Sequence, residues 1–106
     1  MKTFRTLDLA VEFYQLTEQA KLSGNLRDQL LRASSSVSLN LSEGNAKRTV
    51  KEKKRYYQMA YASVQECKTI FKLARIEDAS SDAADKLGAY IFNLLNSEIK
   101  TLEFKS

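Results

Sequence analysis

The residues of this chain best equipped for chemistry fall between Gln29 and Glu66. Gln29, Ser36, Asn40 and Glu43 recur at intervals of seven, four and three, which sets them on one narrow strip of a helix. Ser63 and Glu66, three apart, lie along the edge of a second helix. Side chains of this kind, once buried, must hydrogen-bond one another or free backbone groups. Two readings follow: a network that holds two helices in register, or the polar lining of a ligand or catalytic cleft. Buried polar networks more often specify packing than perform reactions.

Between the two strips runs a basic segment, with six Lys or Arg in the nine positions from Lys47 to Arg55. Lys47 and Arg48 fall in a turn. Lys51 and Lys54, and further on Lys68 and Lys72, project from a helical face opposite its apolar stripe, interleaved with Gln58, Tyr61 and Gln65. Arg55 and Lys53 flank that stripe. Such a surface attracts phosphate backbones without reading their sequence. An ordinary solvated helix face has the same composition, so for one copy of the chain both readings stand.

Several reaction classes are excluded by what the chain lacks. It has no histidine, which removes Ser-His and Cys-His nucleophile pairs and the Glu-x-x-His ligands of di-metal bundles. Its one cysteine, Cys67, cannot build a thiolate zinc site or an internal disulfide. It lies on an apolar stripe and is expected to act as a small hydrophobe. There is no glycine-rich phosphate loop. The carboxylate pairs Glu77-Asp78 and Asp82–Asp85 cluster at a helix start, where capping and the helix dipole account for them. No enzyme activity, metal or cofactor is expected.

The elements that must carry these residues are helices. Proline is absent and glycine occurs only three times in 106 residues, too few breakers for a fold built on turns. That length makes one domain, residues 1–106. Breaks at Leu22–Asn25, Gly44–Arg48 and Glu77–Ser81 divide it into four helical segments. Gly44 with Asn45 suits a left-handed stop for the second. Thr49-x-x-Glu52 reads as a capping box opening the third. Ser80 or Ser81, followed by Asp82, reads as the N-cap of the fourth. The spacing gathers Leu26, Leu30, Ala33, Val37 and Leu41 on one stripe of the second segment. On the third it gathers Tyr56, Met59, Ala60, Ser63, Val64, Cys67, Ile70, Phe71 and Ala74. On the fourth it gathers Ala84, Leu87, Gly88, Ile91, Leu94, Leu95, Ile99 and Leu102. The fold class is therefore an all-α four-helix bundle.

The first segment has two stripes on nearly opposite sides. Leu7, Ala10, Val11 and Tyr14 form one; Leu9, Phe13, Leu16 and Ala20 form the other. A lone bundle needs about one apolar stripe per helix. The second stripe, with Leu9, Phe13 and Leu16, is therefore assigned to a subunit interface; a wide face of the helix sunk into the bundle is the alternative.

The run from Gln29 to Glu43-Gly44, with Arg32-Ala33, Ser36-Val37 and Asn40-Leu41 between, resembles a known signature. It is that of the four-helix-bundle proteins encoded in intervening sequences of bacterial large-subunit ribosomal RNA genes. The basic turn, the Lys/Glu-rich helix start, Ala60 to Ser63 and Glu66 continue the resemblance, while the first and fourth segments match in length and pattern only. Leu41-Ser42 stands where the family usually has Ile-Ala, which leaves the apolar position filled. The resemblance implies an antiparallel, up-down four-helix bundle assembling as a ring-like homopentamer. A related branch comprises accessory proteins of diversity-generating retroelements, which bind a reverse transcriptase and nucleic acid.

These observations lead to a non-enzymatic oligomer that binds RNA or DNA backbone through Lys47, Arg48, Lys51, Lys54, Arg55, Lys68 and Lys72. The alternative is a protein adaptor or scaffold, such as an accessory subunit of a reverse transcriptase. The net charge of +4 is concentrated in residues 1–55, with 11 Lys/Arg against 6 Asp/Glu, while residues 56–106 hold 6 against 7. Apolar runs of at most four residues exclude a membrane span. An N-terminus without an apolar core, together with the lone cysteine, leads to an expected cytoplasmic location.

Overall fold

The computed structural model describes residues 4–98. Four α-helices follow one another: α1 (Arg5–Glu18), α2 (Gly24–Ala46), α3 (Val50–Ala74) and α4 (Ala79–Asn93), with a π-helical turn at Leu94–Glu98. Ile99 and Leu102, assigned above to the stripe of the fourth helix, lie outside the described residues.

Cross-helix contacts show the topology directly. Ser36 meets Ser63, and Arg32 meets Glu66. Gly44 meets Tyr56 and Tyr57, so residue numbers rise on α2 as they fall on α3. Lys68 meets Asp85 and Tyr61 meets Phe92 in the same antiparallel sense across α3 and α4. Phe4 faces Tyr57 and Phe13 faces Phe71, so α1 and α3 run parallel. Each helix packs on two neighbours in the order α1, α2, α3, α4 and back to α1. The result is the up-down bundle expected.

The core is made of residues spaced by three and four. Tyr57, Ala60, Val64, Cys67 and Phe71 line α3; Leu30, Ala33, Val37, Leu41 and Gly44 line α2. Leu9, Phe13 and Thr17 come from α1, and Ser80, Ala84, Leu87 and Ile91 from α4. That spacing suits helices packed nearly along one another.

Five expectations are corrected. Leu9 and Phe13 are core residues, while Val11 of the other stripe is exposed. The assigned interface stripe of α1 is thus the deep face of the bundle at two of its three positions, and Leu16 alone remains at the surface. On α3 the fully buried aromatic is Tyr57, not Tyr56, and Met59 stays exposed. The third break starts at Arg75, whose φ of 57° makes it a left-handed cap. Ile76 N–H donates to Phe71 O at 2.9 Å and Arg75 N–H to Lys72 O at 3.2 Å, the paired bonds of a Schellman motif.

The fourth correction concerns caps, and the fifth Gly44. Asp78, not Ser80 or Ser81, caps α4. Its carboxylate accepts from Ser80 N–H at 2.9 Å and Ser81 N–H at 3.2 Å, and Ser81 Oγ accepts from Asp78 N–H at 2.9 Å. A carboxylate serves the helix dipole as a hydroxyl cannot. The Ser80 hydroxyl, followed by the backbone donors, holds the Asp78 carboxyl below its ordinary pKa against the opposing effect of desolvation. Thr49 does cap α3, accepting from Glu52 N–H at 3.2 Å, but Glu52 accepts from the Thr49 hydroxyl at 3.0 Å in place of returning to the backbone.

Gly44 is helical and needs no positive φ. Its role is space. A Cβ there would stand 2.7 Å from Tyr57 Cε1 and 3.0 Å from Tyr56 Cβ. The α2 C-terminus is instead closed by Lys53, whose Nζ donates to Gly44 O at 3.2 Å and Asn45 O at 3.1 Å. A cation suits that end of a helix.

Gly44 and Gly88 should therefore respond oppositely to alanine. Gly44→Ala gains helix propensity of about 1 kcal/mol, but it forces a buried ring to move, at a cost of about 1–3 kcal/mol. A lower midpoint in urea is expected. Gly88→Ala places a methyl 3.5 Å from Val64 Cγ1, an ordinary contact, and should raise the midpoint. A Gly44→Ala protein as stable as the parent would show that Tyr57 is free to yield.

Candidate nucleic-acid interface

The α2–α3 hairpin is the longest part of the bundle and carries the basic segment at its tip. Phe4, at the start of α1, lies level with Tyr57. Val50–Tyr56 and the turn before it therefore extend about two helical turns, roughly 10 Å, past that level. The tip presents its cations clear of the described start of α1.

The seven expected phosphate contacts separate into two groups. Lys47 is half-buried, 3.7 Å from Glu43 and 5.2 Å from the Tyr56 ring centroid. Lys68 pairs with Asp85 at 3.3 Å. These two are already engaged by carboxylates. Arg55 lies 5.9 Å from the Tyr56 ring and has no carboxylate partner among the described residues. Arg48, Lys51, Lys54 and Lys72 are exposed, and none is paired among the described residues. Lys51, Lys54 and Lys72, with Gln58 and Gln65 between, follow the outer edge of α3 on the side toward α4. From Lys51 to Lys72 that edge is about 30 Å long.

The polar strip is narrower than its sequence pattern. Ser36 and Ser63 share a hydrogen bond of 3.0 Å in which either hydroxyl can donate. Asn40 Nδ2 donates to Ser36 O at 2.9 Å and to Ser36 Oγ at 3.0 Å. These three form the network, and it ties α2 to α3. Glu66 leaves it for Arg32, and Glu43 for Lys47. Gln29 makes no hydrogen bond among the described residues. Carboxylates stay where water and a cation can solvate them, because burying one unpaired costs far more than burying a hydroxyl.

A second polar contact escaped the sequence reading. Thr17 and Ser34, both fully buried, meet at 3.1 Å between α1 and α2. Thr17 Oγ1 donates to Tyr14 O at 2.6 Å, which leaves the Ser34 proton to be shared between Thr17 Oγ1 and Leu31 O. The signal was present: Thr17 continues the four-residue step of Leu9 and Phe13, and Ser34 follows Leu30 by four. In the Ser34-Ser35-Ser36 run, composition alone does not tell the buried serine from its neighbours.

Among the described residues no cluster of His, Cys, Asp or Glu is placed to hold a metal ion. No described helix is long and apolar enough to cross a membrane. Cys67 is buried in the core, and its thiol is pushed up to about 12, first by burial and then by the negative charge of Glu66, with Arg32 opposing.

Compared with known proteins, the chain is similar to the family described as 23S rRNA-intervening sequence protein, whose model matches residues 4–96. The match spans all four α-helices, including the two for which the sequence resemblance rested on length and pattern. Neither a curated protein nor a solved structure matches the chain.

The Cys67 thiol supplies a test of the core around it. At pH 8 its thiolate fraction in the folded protein should be about one in ten thousand. Alkylation by iodoacetamide should run at least 100-fold slower in the native protein than in urea. Because the folded pKa is raised, the stability linked to this thiol is full below the ordinary thiol pKa and is lost as pH climbs toward the folded value. Equal native and denatured alkylation rates would contradict the buried placement.

Proposed function

The chain belongs to the 23S rRNA-intervening sequence protein family, and we propose that it works without catalysis, as a homo-oligomer holding nucleic-acid backbone. The surface is the hairpin tip and the α4-side edge of α3. The observation that carries this reading is the sorting of its cations. Carboxylates engage Lys47 and Lys68, while Arg48, Lys51, Lys54 and Lys72 are left without partners along one continuous edge. Exposed, unpaired cations can displace the counterions condensed on nucleic-acid phosphates at little cost in lost internal contacts.

Repetition strengthens the surface. One copy carries +4, and a ring of five, as the family resemblance implies, would carry about +20. A polyanion bridging several copies is then held far more tightly than one copy could hold it. The recognition is of backbone, since cations spread along a helix edge meet phosphates without reading sequence.

The test is a salt titration of the full chain against single-stranded RNA, single-stranded DNA and duplex DNA. Log affinity should fall linearly with log salt, with a slope of about 0.7–0.9 per phosphate neutralised. Replacing Arg48, Lys51, Lys54 and Lys72 by Gln should lower the slope and weaken binding at least tenfold, with helicity unchanged. Binding insensitive to salt would overturn the phosphate mechanism, and an unaffected quadruple variant would overturn this surface. Capture of a protein partner with no nucleic-acid affinity would favour the adaptor reading.

A further inference from the structure

The α3–α4 groove carries an aromatic pair in the middle of the basic edge. Tyr61 of α3 and Phe92 of α4 meet across it, with ring centroids 6.3 Å apart and planes tilted by 48°. Tyr61 is half-buried, and Phe92 is 54% exposed. A single apolar side chain in water is ordinary on a protein surface. Phe92 differs in what surrounds it. On α3, Lys54, Gln58, Tyr61, Gln65, Lys68 and Lys72 recur at steps of four and three, so Tyr61 stands within the row of cations and amides. On α4, Asp85, Ala89 and Phe92 follow the same side of the groove at steps of four and three. Ala89 is exposed one turn before Phe92, and its methyl is too short to cover the ring.

Cations lie on both sides of the pair. Along α3, Lys54 stands about 10 Å and Lys51 about 15 Å before Tyr61, while Lys72 stands about 16 Å after it. The acidic end of the groove is separate. Asp85 lies one heptad from Phe92 and is engaged by Lys68 at 3.3 Å. A phosphate backbone running from Lys51 and Lys54 to Lys72 has to pass the two rings. Aromatic side chains stack on nucleobases, and every base has such a face, so the contact is indifferent to sequence. In a duplex each base is already stacked between its neighbours and must be extruded before a protein ring can cover it. An unpaired strand offers its base faces without that cost.

We infer that Phe92, backed by Tyr61, is a stacking platform for an unpaired base, and that the ligand of this surface is single-stranded nucleic acid. This deepens the proposed function and rests on its phosphate surface. Lys51 and Lys54 on one side and Lys72 on the other hold the backbone, and a base between them lies on the exposed Phe92 ring. Stacking releases no counterions, so its contribution persists at salt concentrations that weaken the phosphate contacts.

The experiment measures binding of the full chain to oligothymidylate, to oligouridylate, to an abasic strand with the same number of phosphates, and to a DNA duplex. Both base-bearing single strands should bind about fivefold or more tighter than the abasic strand. Phe92→Ala should remove that advantage at an unchanged salt slope and leave the abasic strand and the duplex bound as before, with circular dichroism confirming its helicity. Phe92→Trp supplies a second readout. The chain has no tryptophan of its own, so all indole emission then reports on position 92. That emission should be quenched by the base-bearing strands and not by the abasic one. Equal affinity of the parent for base-bearing and abasic strands overturns the platform and leaves the phosphate surface standing. Indole emission unmoved by a bound base-bearing strand does the same. Failure of every strand to bind, the abasic one included, overturns the proposed function and the platform with it.

Discussion

The contact between the Gly44 backbone and the Tyr57 ring sets how closely α2 and α3 approach, and the remaining geometry follows from it. With hydrogen in place of a methyl at position 44, the ring sinks into the bundle and Tyr57 becomes a wholly buried side chain. The register chosen there is repeated down the pair. It brings Ser36 onto Ser63 and Arg32 onto Glu66 without any further adjustment. A one-turn slip would put a side chain against the ring and part the two hydroxyls. The hydroxyl network thus reinforces a register that sterics already demand, and with both in place the hairpin is the spine on which α1 and α4 are laid.

That spine also decides which cations are available. Lys53 is spent on the open carbonyls at the end of α2, and Lys47 is drawn to Glu43 and the Tyr56 ring. Across the α3–α4 groove, antiparallel register delivers Asp85 to Lys68. A basic run that looks uniform along the chain is therefore uneven in space. Its free charge is concentrated at the tip and along one edge of α3. Over their spans α1 carries −2 and α4 −1, α2 is neutral and α3 carries +4, so the basic excess of the helices belongs to α3 alone.

Much of this was legible from spacing. The number of helices, the core stripes of α2 and α4, the Ser36–Ser63 contact and the Thr49 cap follow from periodicity and local hydrogen bonding. Both act over three or four residues and are written in the chain. Tyr56 and Tyr57 could not be ranked in that way. They are adjacent and chemically identical, and the choice between them is made by the space at Gly44, a residue on another helix. The two stripes of α1 posed the same difficulty, since both are apolar and only the position of α3 selects Leu9 and Phe13 for the core. Asp78 was passed over because serines are good caps too, and the decision turned on a carboxylate reaching two backbone donors together.

The chain by itself therefore determined an all-helical bundle, its four segments, its lack of histidine and the location of its basic run. These are local properties, set by backbone preference, side-chain period and composition. Packing decided which side of α1 is inside, which tyrosine is buried, which lysines are neutralised and which apolar residues stay in water. Each of those outcomes depends on a partner tens of residues away, and no periodicity within one helix records who that partner will be.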